Sequence, residues 1–280
     1  MAQILVCKKD GTIEPLNLDK IEHALRKAGA GRSLAREVIE TIAPRLHSSM
    51  TTEEIYQLAF SQLRNLKPGA AARFSLKSAL LRFGPDGYPF ETFIGALLKG
   101  RGYQTRLRQI VPGRCVSHEI DVMARREATK ETPAVNCIIE CKFHNATDMR
   151  CHIQSALYSW ARFLDVRERH PEITSVWLAT NTKFSSDTIQ YADCVGLKLL
   201  GWSFPESESL QVRIEEHKLY PITVLNNLDR KTFALLHSVN IILVPELLST
   251  PDEYLVSLGL MQKRIDSIKA ECKRVLSNKN

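Results

Sequence analysis

The first third of the chain alternates short apolar stretches with capping and turn residues. Ile4-Leu5-Val6 reads as a strand, Asp10-Gly11 as a turn, and Thr12-Ile13-Glu14 as the return of a small hairpin. Four helical patterns follow. The first is capped by Asn17 or Asp19, carries Ile21, Leu25 and Ala28 on one face, and stops near Gly29 and Gly31. A second, capped by Ser33, places Val38, Ile39 and Ile42 together and ends near Pro44. In the third, Thr51 or Thr52 caps a stripe of Ile55, Leu58, Ala59 and Leu63, which Pro68-Gly69 breaks. A fourth, from about Ala70 to Phe83, turns Ala72, Leu76, Ala79 and Leu80 inward. The run Gly84-Pro85-Asp86-Gly87-Tyr88-Pro89 has turn composition and marks a domain boundary.

Beyond it the period changes. Phe93, Ile94, Leu97 and Leu98 form the stripe of a helix from about Phe90 to Gly100. Strand patterns follow at 103–110, 117–124 and 134–142, then a long amphipathic helix over about 148–169. A strand at 175–180, a helix at 186–195 closed by Gly196, and a strand at 197–202 complete the order α-β-β-β-α-β-α-β, which predicts a mixed α/β sheet. After Pro205 the pattern becomes helical: two short apolar helices flank a strand-like Ile241–Val244, and one basic helix runs from about Asp252 to Leu276. The expected segments are 1–84, 88–205 and 206–280.

Composition narrows the class. The 280 residues are 44% hydrophobic and 25% charged, the balance of a globular chain, and no apolar run approaches the length of a membrane helix. The start lacks signal-peptide order, so the cytoplasm is the expected location and no membrane partner is expected. Seven scattered cysteines contain no CxxC pair, which favours reduced thiols over a zinc site or disulfide framework. The formal net charge of +7 is uneven: residues 1–83 carry +5, 99–130 carry +5, 131–260 carry −5, and the last twenty carry +4. Separate basic segments suggest a polyanionic partner, although a modest excess also serves solubility. Lys263, Arg264, Lys269, Lys273 and Arg274 on the last helix read as phosphate-backbone contacts, a solvated face, or a dimer arm.

Three residues carry the sharpest chemistry. Strand alternation puts Glu140 and Lys142 on one face with Cys141 pointing away. It also separates Asp121 from Ile120, Val122 and Ala124. If the two strands pair, Asp121 and Glu140 sit side by side. Adjacent carboxylates repel, a divalent cation relieves the repulsion, and hard oxygen ligands suit Mg²⁺. Lys142 beside them could orient a water or neutralise a phosphate. An ordinary ion pair on a sheet face is the plainer account. No GxxxxGK[ST] is present, so a P-loop ATPase is not supported.

From about Pro89 to Pro205 the chain resembles the PD-(D/E)xK nucleases, most closely the Mrr-like restriction endonucleases and the related Holliday-junction resolvases. The likeness rests on Phe90-Glu91, Gly102-Tyr103, Glu119-Ile120-Asp121, Glu140-Cys141-Lys142, Ala179-Thr180-Asn181-Thr182-Lys183-Phe184-Ser185, Tyr191-Ala192 and the strand ending at Trp202. It implies a restriction-endonuclease-like α/β core. Asp121 and Glu140 would hold Mg²⁺ or Mn²⁺, with the Cys141 carbonyl as a further ligand, and Lys142 would activate water. Glu91 matches an accessory acidic position, and Gln154 a polar position on the helix after the ExK strand. Ile120 stands where the motif has proline.

Residues from about Ile4 to Phe83 resemble the ATP-cone, a small, mostly helical regulatory domain with a hairpin. The likeness rests on Val6-Cys7-Lys8-Lys9-Asp10-Gly11, Glu14-Pro15-Leu16-Asn17 and Lys20-Ile21. It implies that Val6, Lys8, Lys9, Glu14, Asn17, Lys20, Ile21 and Thr52 line a pocket for ATP or dATP, with Lys77 a phosphate contact. Pro15-Leu16-Asn17 departs from the aromatic that the family usually has after the acidic residue. Lysines, a hairpin and helix N-termini suit a triphosphate; a small basic domain binding DNA directly is the alternative. Together the resemblances imply a Mg²⁺-dependent endonuclease acting on double-stranded or branched DNA, with a nucleotide triphosphate as allosteric ligand, a role in defence against foreign DNA, and a homodimer as the expected assembly. Two alternatives stand beside it: a nucleotide-sensing DNA-binding regulator with an inactive nuclease fold, and a junction-resolvase-like repair nuclease.

Overall fold

In a computed structural model, which describes residues 4–8, 11–28, 30–129, 133–146 and 149–277, the chain divides into two units, 1–76 with 267–280, and 77–266. The boundaries fall inside two helices, and residues 206–266 belong to the same unit as 88–205. The turn residue Asp10, the glycine stop at Gly29 and the start of the long helix at Asp148 lie outside the described residues.

The first unit opens with an antiparallel hairpin, β1 (Leu5–Cys7) and β2 (Ile13–Pro15), pairing Val6 with Glu14. Helix α1 (Leu18–Lys27) starts at Asn17, whose side chain accepts from the amides of Asp19 and Lys20. Helix α2 (Arg32–Ile42) starts at Gly31 with no side-chain cap, so Ser33 is already inside the first turn. The expected Ser33 cap is therefore corrected by two positions. A single 3₁₀ turn through Pro44 follows α2. Helix α3 (Thr52–Leu66) is capped by Thr51 in a reciprocal box with Glu54, which satisfies two otherwise orphaned amide donors. Helix α4 (Pro68–Leu81) begins at Pro68 itself: proline breaks α3, yet its fixed φ suits a first helical turn. Leu25, Val38, Ile42, Ile55, Ala59 and Leu63 meet in the core of this unit.

The second unit is a mixed α/β fold built on the five-stranded sheet β3 (Gln104–Pro112), β4 (Ser117–Arg126), β5 (Val135–Lys142), β7 (Ser175–Thr180) and β9 (Lys198–Leu200), in the order 3-4-5-7-9. The first two pairings are antiparallel and the last two parallel. Helix α5 (Tyr88–Lys99) packs on β3, β4 and β5, driven by Phe90, Phe93, Ile94 and Leu97, each fully buried. Burying such a side chain is worth roughly 1.5–3 kcal/mol. Helix α6 (Ile153–Arg169) packs on β3, β5 and β7 through Ala156, Phe163 and Val166. It starts later than expected. Arg150 and Cys151 form β6 instead, pairing in parallel with β8 (Lys183–Phe184), a long-range contact that local periodicity does not reveal. Helix α7 (Ser186–Val195) closes at Gly196 in the left-handed conformation.

A helical region ends the chain: α8 (Leu210–Glu216), α9 (Arg230–Ser238), α10 (Val244–Ser249), α11 (Asp252–Ser257) and α12 (Gln262–Leu276). Two expectations are corrected here. The strand-like Ile241–Val244 makes only an isolated bridge, Leu243 to Pro221, before α10 begins. The single basic helix is two helices, divided at Gly259, whose φ of +95° no helix can carry. Among the described residues no helix is long and apolar enough to cross a membrane.

Candidate functional site

The antiparallel register of β4 and β5 pairs Val122 with Ile139, so Asp121 and Glu140 are the next residues along the ladder. The Cys141 amide donates to Asp121 Oδ2 at 2.7 Å and fixes that carboxylate against the neighbouring strand. Glu140 is held from the other side by the Arg162 guanidinium of α6. Arg162 also donates to the Glu119 carbonyl at 2.9 Å and to the Tyr158 hydroxyl at 2.6 Å. Lys142, one alternation beyond Glu140, is exposed and makes no salt bridge among the described residues.

Glu91 joins this group from the first turn of α5, ion-paired with Arg108 at 3.3 Å. All three carboxyls are pushed above the usual carboxylate range. Burial is the largest cause for each, and the Asp121 charge adds to it for Glu91 and Glu140. Glu140 is raised to about 7, with Glu91 contributing further. Concentrated, partly desolvated negative charge of this kind is what a cation relieves. The Cys141 thiol is pushed well up by burial and by the Asp121 charge, so a thiolate is not on offer and the donors are oxygens. Asp121 and Glu140 therefore fit a hard divalent ion, which needs only one or two carboxylates and retains several waters. No cluster of three or more metal-ligating side chains is present among the described residues.

Arg108 reaches Glu91 by a backbone device. The β3–β4 ladder pairs Leu107 with Val122 and Gln109 with Ile120, so the register runs unshifted past Arg108, which stands opposite Asp121. Its φ is +50°. A non-glycine residue held there costs on the order of 1–3 kcal/mol, a strain of the kind found beside functional sites. Arg108 also contacts Thr92 Oγ1 at 3.4 Å, where His237 of α9 approaches at 3.3 Å.

Of the expected residues, Asp121, Glu140, Lys142, Glu91 and Cys141 are brought to one region. Gln154 lies exposed on the first turn of α6 and makes no hydrogen bond with the carboxylates among the described residues. Sequence reasoning missed Arg162, Tyr158 and Arg108. The i, i+4 spacing of Gln154, Tyr158 and Arg162 was a usable signal for the first two. Nothing in the sequence marks the positive φ at Arg108.

In the first unit a cavity of about 210 Å³ is lined by Val6, Glu14, Asn17, Lys20, Ile21 and Thr52 together with Tyr56 and Phe74. The two aromatic rings stack at 4.6 Å and supply a flat apolar wall. Lys8 reaches its rim through Glu14, on which the Lys8 and Lys20 ammoniums converge at 2.7 and 3.2 Å. These bonds hold the Glu14 carboxyl below its usual range, Lys8 most strongly. Lys77 does not line the cavity, and Lys9 lies outside the described residues.

Comparison with known proteins places these features. Residues 4–79 match the ATP cone domain, and residues 220–276 match the AF1548-like C-terminal domain. An uncharacterised protein of Archaeoglobus fulgidus is 41% identical over 180 residues, spanning 64% of this chain and 98% of that protein. The chain belongs to the AF1548-like family. The crystal structure of AF1548, a protein of unknown function, superimposes with a TM-score of 0.59 at 38% identity, covering 68% of this chain and 98% of that one. Two more distant structures are the DNA modification-dependent restriction endonuclease AspBHI (TM-score 0.39, 14% identity, 57% of this chain and 39% of that one) and the MspJI restriction endonuclease in complex with a 27-mer oligonucleotide (0.35, 10%, 52% and 31%). Neither is similar enough to argue from. This chain therefore joins an ATP cone domain, with an aromatic-walled cavity, to an α/β unit with a carboxylate-rich site.

Proposed function

We propose that this AF1548-like protein is a metal-dependent DNA endonuclease whose ATP cone binds ATP or dATP as an allosteric ligand. The observation that carries the reading is the juxtaposition of Asp121 and Glu140 on paired strands, with Lys142 exposed one alternation beyond Glu140. Residues 1–84 would act as the sensor, 88–205 as the nuclease, and 206–280 as the helical region that completes the fold. Defence against foreign DNA is the role we infer for it in the cytoplasm.

A bound Mg²⁺ would lower the pKa of a coordinated water and neutralise phosphate charge. The chain's own residues do the rest. Asp121 and Glu140 would hold the ion, together with the Cys141 carbonyl. The Cys141 amide fixes Asp121 Oδ2, so the carboxylate need not reorganise on binding. Lys142 Nζ would donate to the attacking water and to a phosphate oxygen, orienting one against the other. Glu91, whose carboxyl burial and the Asp121 charge push above its usual range, would assist as the accessory acidic group.

The ion pair of Glu140 with Arg162 favours a second reading, a nucleotide-sensing DNA-binding regulator in which that carboxylate stays committed to arginine. Cleavage assays on linear, methylated and four-way-junction DNA, with and without Mg²⁺, ATP and dATP, separate the two. We expect Mg²⁺-dependent cleavage that falls at least about a hundredfold in Asp121→Ala and in Lys142→Ala. Cleavage that survives both substitutions refutes the assignment, and DNA binding without cleavage supports the regulator.

A further inference from the structure

Two arginines touch the carboxylates, and each lies over a tyrosine ring. Arg108, paired with Glu91, is 5.8 Å from the Tyr88 ring centroid. Arg162, paired with Glu140, is 4.5 Å from that of Tyr158. The two tyrosines come from different helices, α5 and α6, and each is 56% exposed, a large aromatic surface left to solvent at either end of the carboxylate group. The linkage runs Tyr88, Arg108, Glu91, Asp121, Glu140, Arg162, Tyr158. On the Arg108 side the backbone of Arg108 itself is held at positive φ.

A solvated ring with a guanidinium over one face is suited to stack a base on its free surface, because the cation polarises the ring and restricts its motion. Bases inside a duplex already have both faces stacked and gain nothing from such a ring. An unpaired base gains a stacking partner, and the neighbouring guanidinium lies within reach of its phosphate.

We propose that Tyr88–Arg108 and Tyr158–Arg162 are stacking platforms for unpaired nucleotides, so that the substrate is DNA with a flap, bulge or single-stranded segment rather than blunt duplex. This rests on the nuclease reading and names its substrate class.

The test measures DNA binding by the full chain in EDTA, so that neither metal nor cleavage contributes. Fluorescence anisotropy compares a blunt duplex, the same duplex with a short 3′ or 5′ flap, and the single strand. 2-Aminopurine in the flap reports stacking through quenching. The wild type should bind the flapped duplex and the single strand more tightly than the blunt duplex, with quenching. Tyr88→Leu and Tyr158→Leu should each weaken flap binding about tenfold and relieve the quenching while leaving blunt-duplex affinity unchanged, and Tyr→Phe at either position should retain both. Equal wild-type affinity for blunt and flapped DNA overturns the proposal, as does equal weakening of both by the leucine variants. If blunt duplex is bound, and cleaved once Mg²⁺ is restored, without preference for the flap, this proposal fails and the nuclease reading stands. If no DNA form is bound or cleaved, both fail.

Discussion

Asp165 ties the turn between β3 and β4 to helix α6. Its carboxylate accepts from the Cys115 amide at 2.8 Å, from the Val116 amide at 3.3 Å, and lies 2.8 Å from His118 Nε2. Gly113 makes room for it: a Cβ there would stand 2.0 Å from Asp165 Oδ2 and 2.7 Å from the Val116 carbonyl. Gly113→Ala should therefore lower the denaturation midpoint measurably, since the backbone carbonyl cannot yield as a flexible side chain would. The His118 contact, then the backbone amides, hold the Asp165 carboxyl well below its usual range. A carboxyl depressed in the folded state stabilises the fold above its unfolded pKa of about 3.9 and loses that contribution as pH falls through the folded value. Asp165→Asn should thus lower the urea midpoint at pH 7, and the gap to wild type should close on acidification below about pH 4. A gap that stays constant with pH would show that the charge plays no part.

Between α11 and α12 the chain runs through Gly259, with the Gly259 amide bonded to the Val256 carbonyl at 2.8 Å and the Leu260 amide to the Leu255 carbonyl at 3.2 Å. At φ +95° a side chain is strained whatever the space around it. Gly259→Ala should cost about 1–2 kcal/mol, read as a lowered chemical-denaturation midpoint, with little change in helix content. A glycine among basic helical residues is easily read as tolerated inside one helix, which is why one helix was expected where two occur. The same limit operates across the sheet. Period-two alternation in Ile138 to Lys142 and around Asp121 is local, and it orders those side chains before any fold is known. The β6–β8 pairing, the Arg108–Glu91 ion pair and the Arg162–Glu140 ion pair each depend on a partner far along the chain. Ser33 lost its expected cap role because Gly31 already supplies the turn into α2.

At the scale of the molecule the proposed function requires the ATP cone and the carboxylate site to be coupled, and thermodynamics constrains that coupling without a pathway. The cone offers a small cavity with a stacked Tyr56–Phe74 wall and two ammoniums at its rim, both committed to Glu14. A triphosphate would compete with Glu14 for Lys8 and Lys20, so nucleotide binding should free Glu14 as it recruits the lysines. Calorimetry should find ATP or dATP binding that weakens in Lys20→Ala; no binding of either nucleotide removes the sensor from the reading. If occupancy of the cone alters DNA affinity by some factor, DNA must alter nucleotide affinity by the same factor, because the two binding steps close one cycle. Couplings of this kind span roughly 5- to 150-fold. Titrating ATP into the protein with and without saturating flapped DNA in EDTA, and DNA with and without saturating ATP, should give equal ratios different from one. Ratios of one in both directions would mean that the nucleotide does not act through DNA affinity, leaving any control to the chemical step, where no such reciprocity holds.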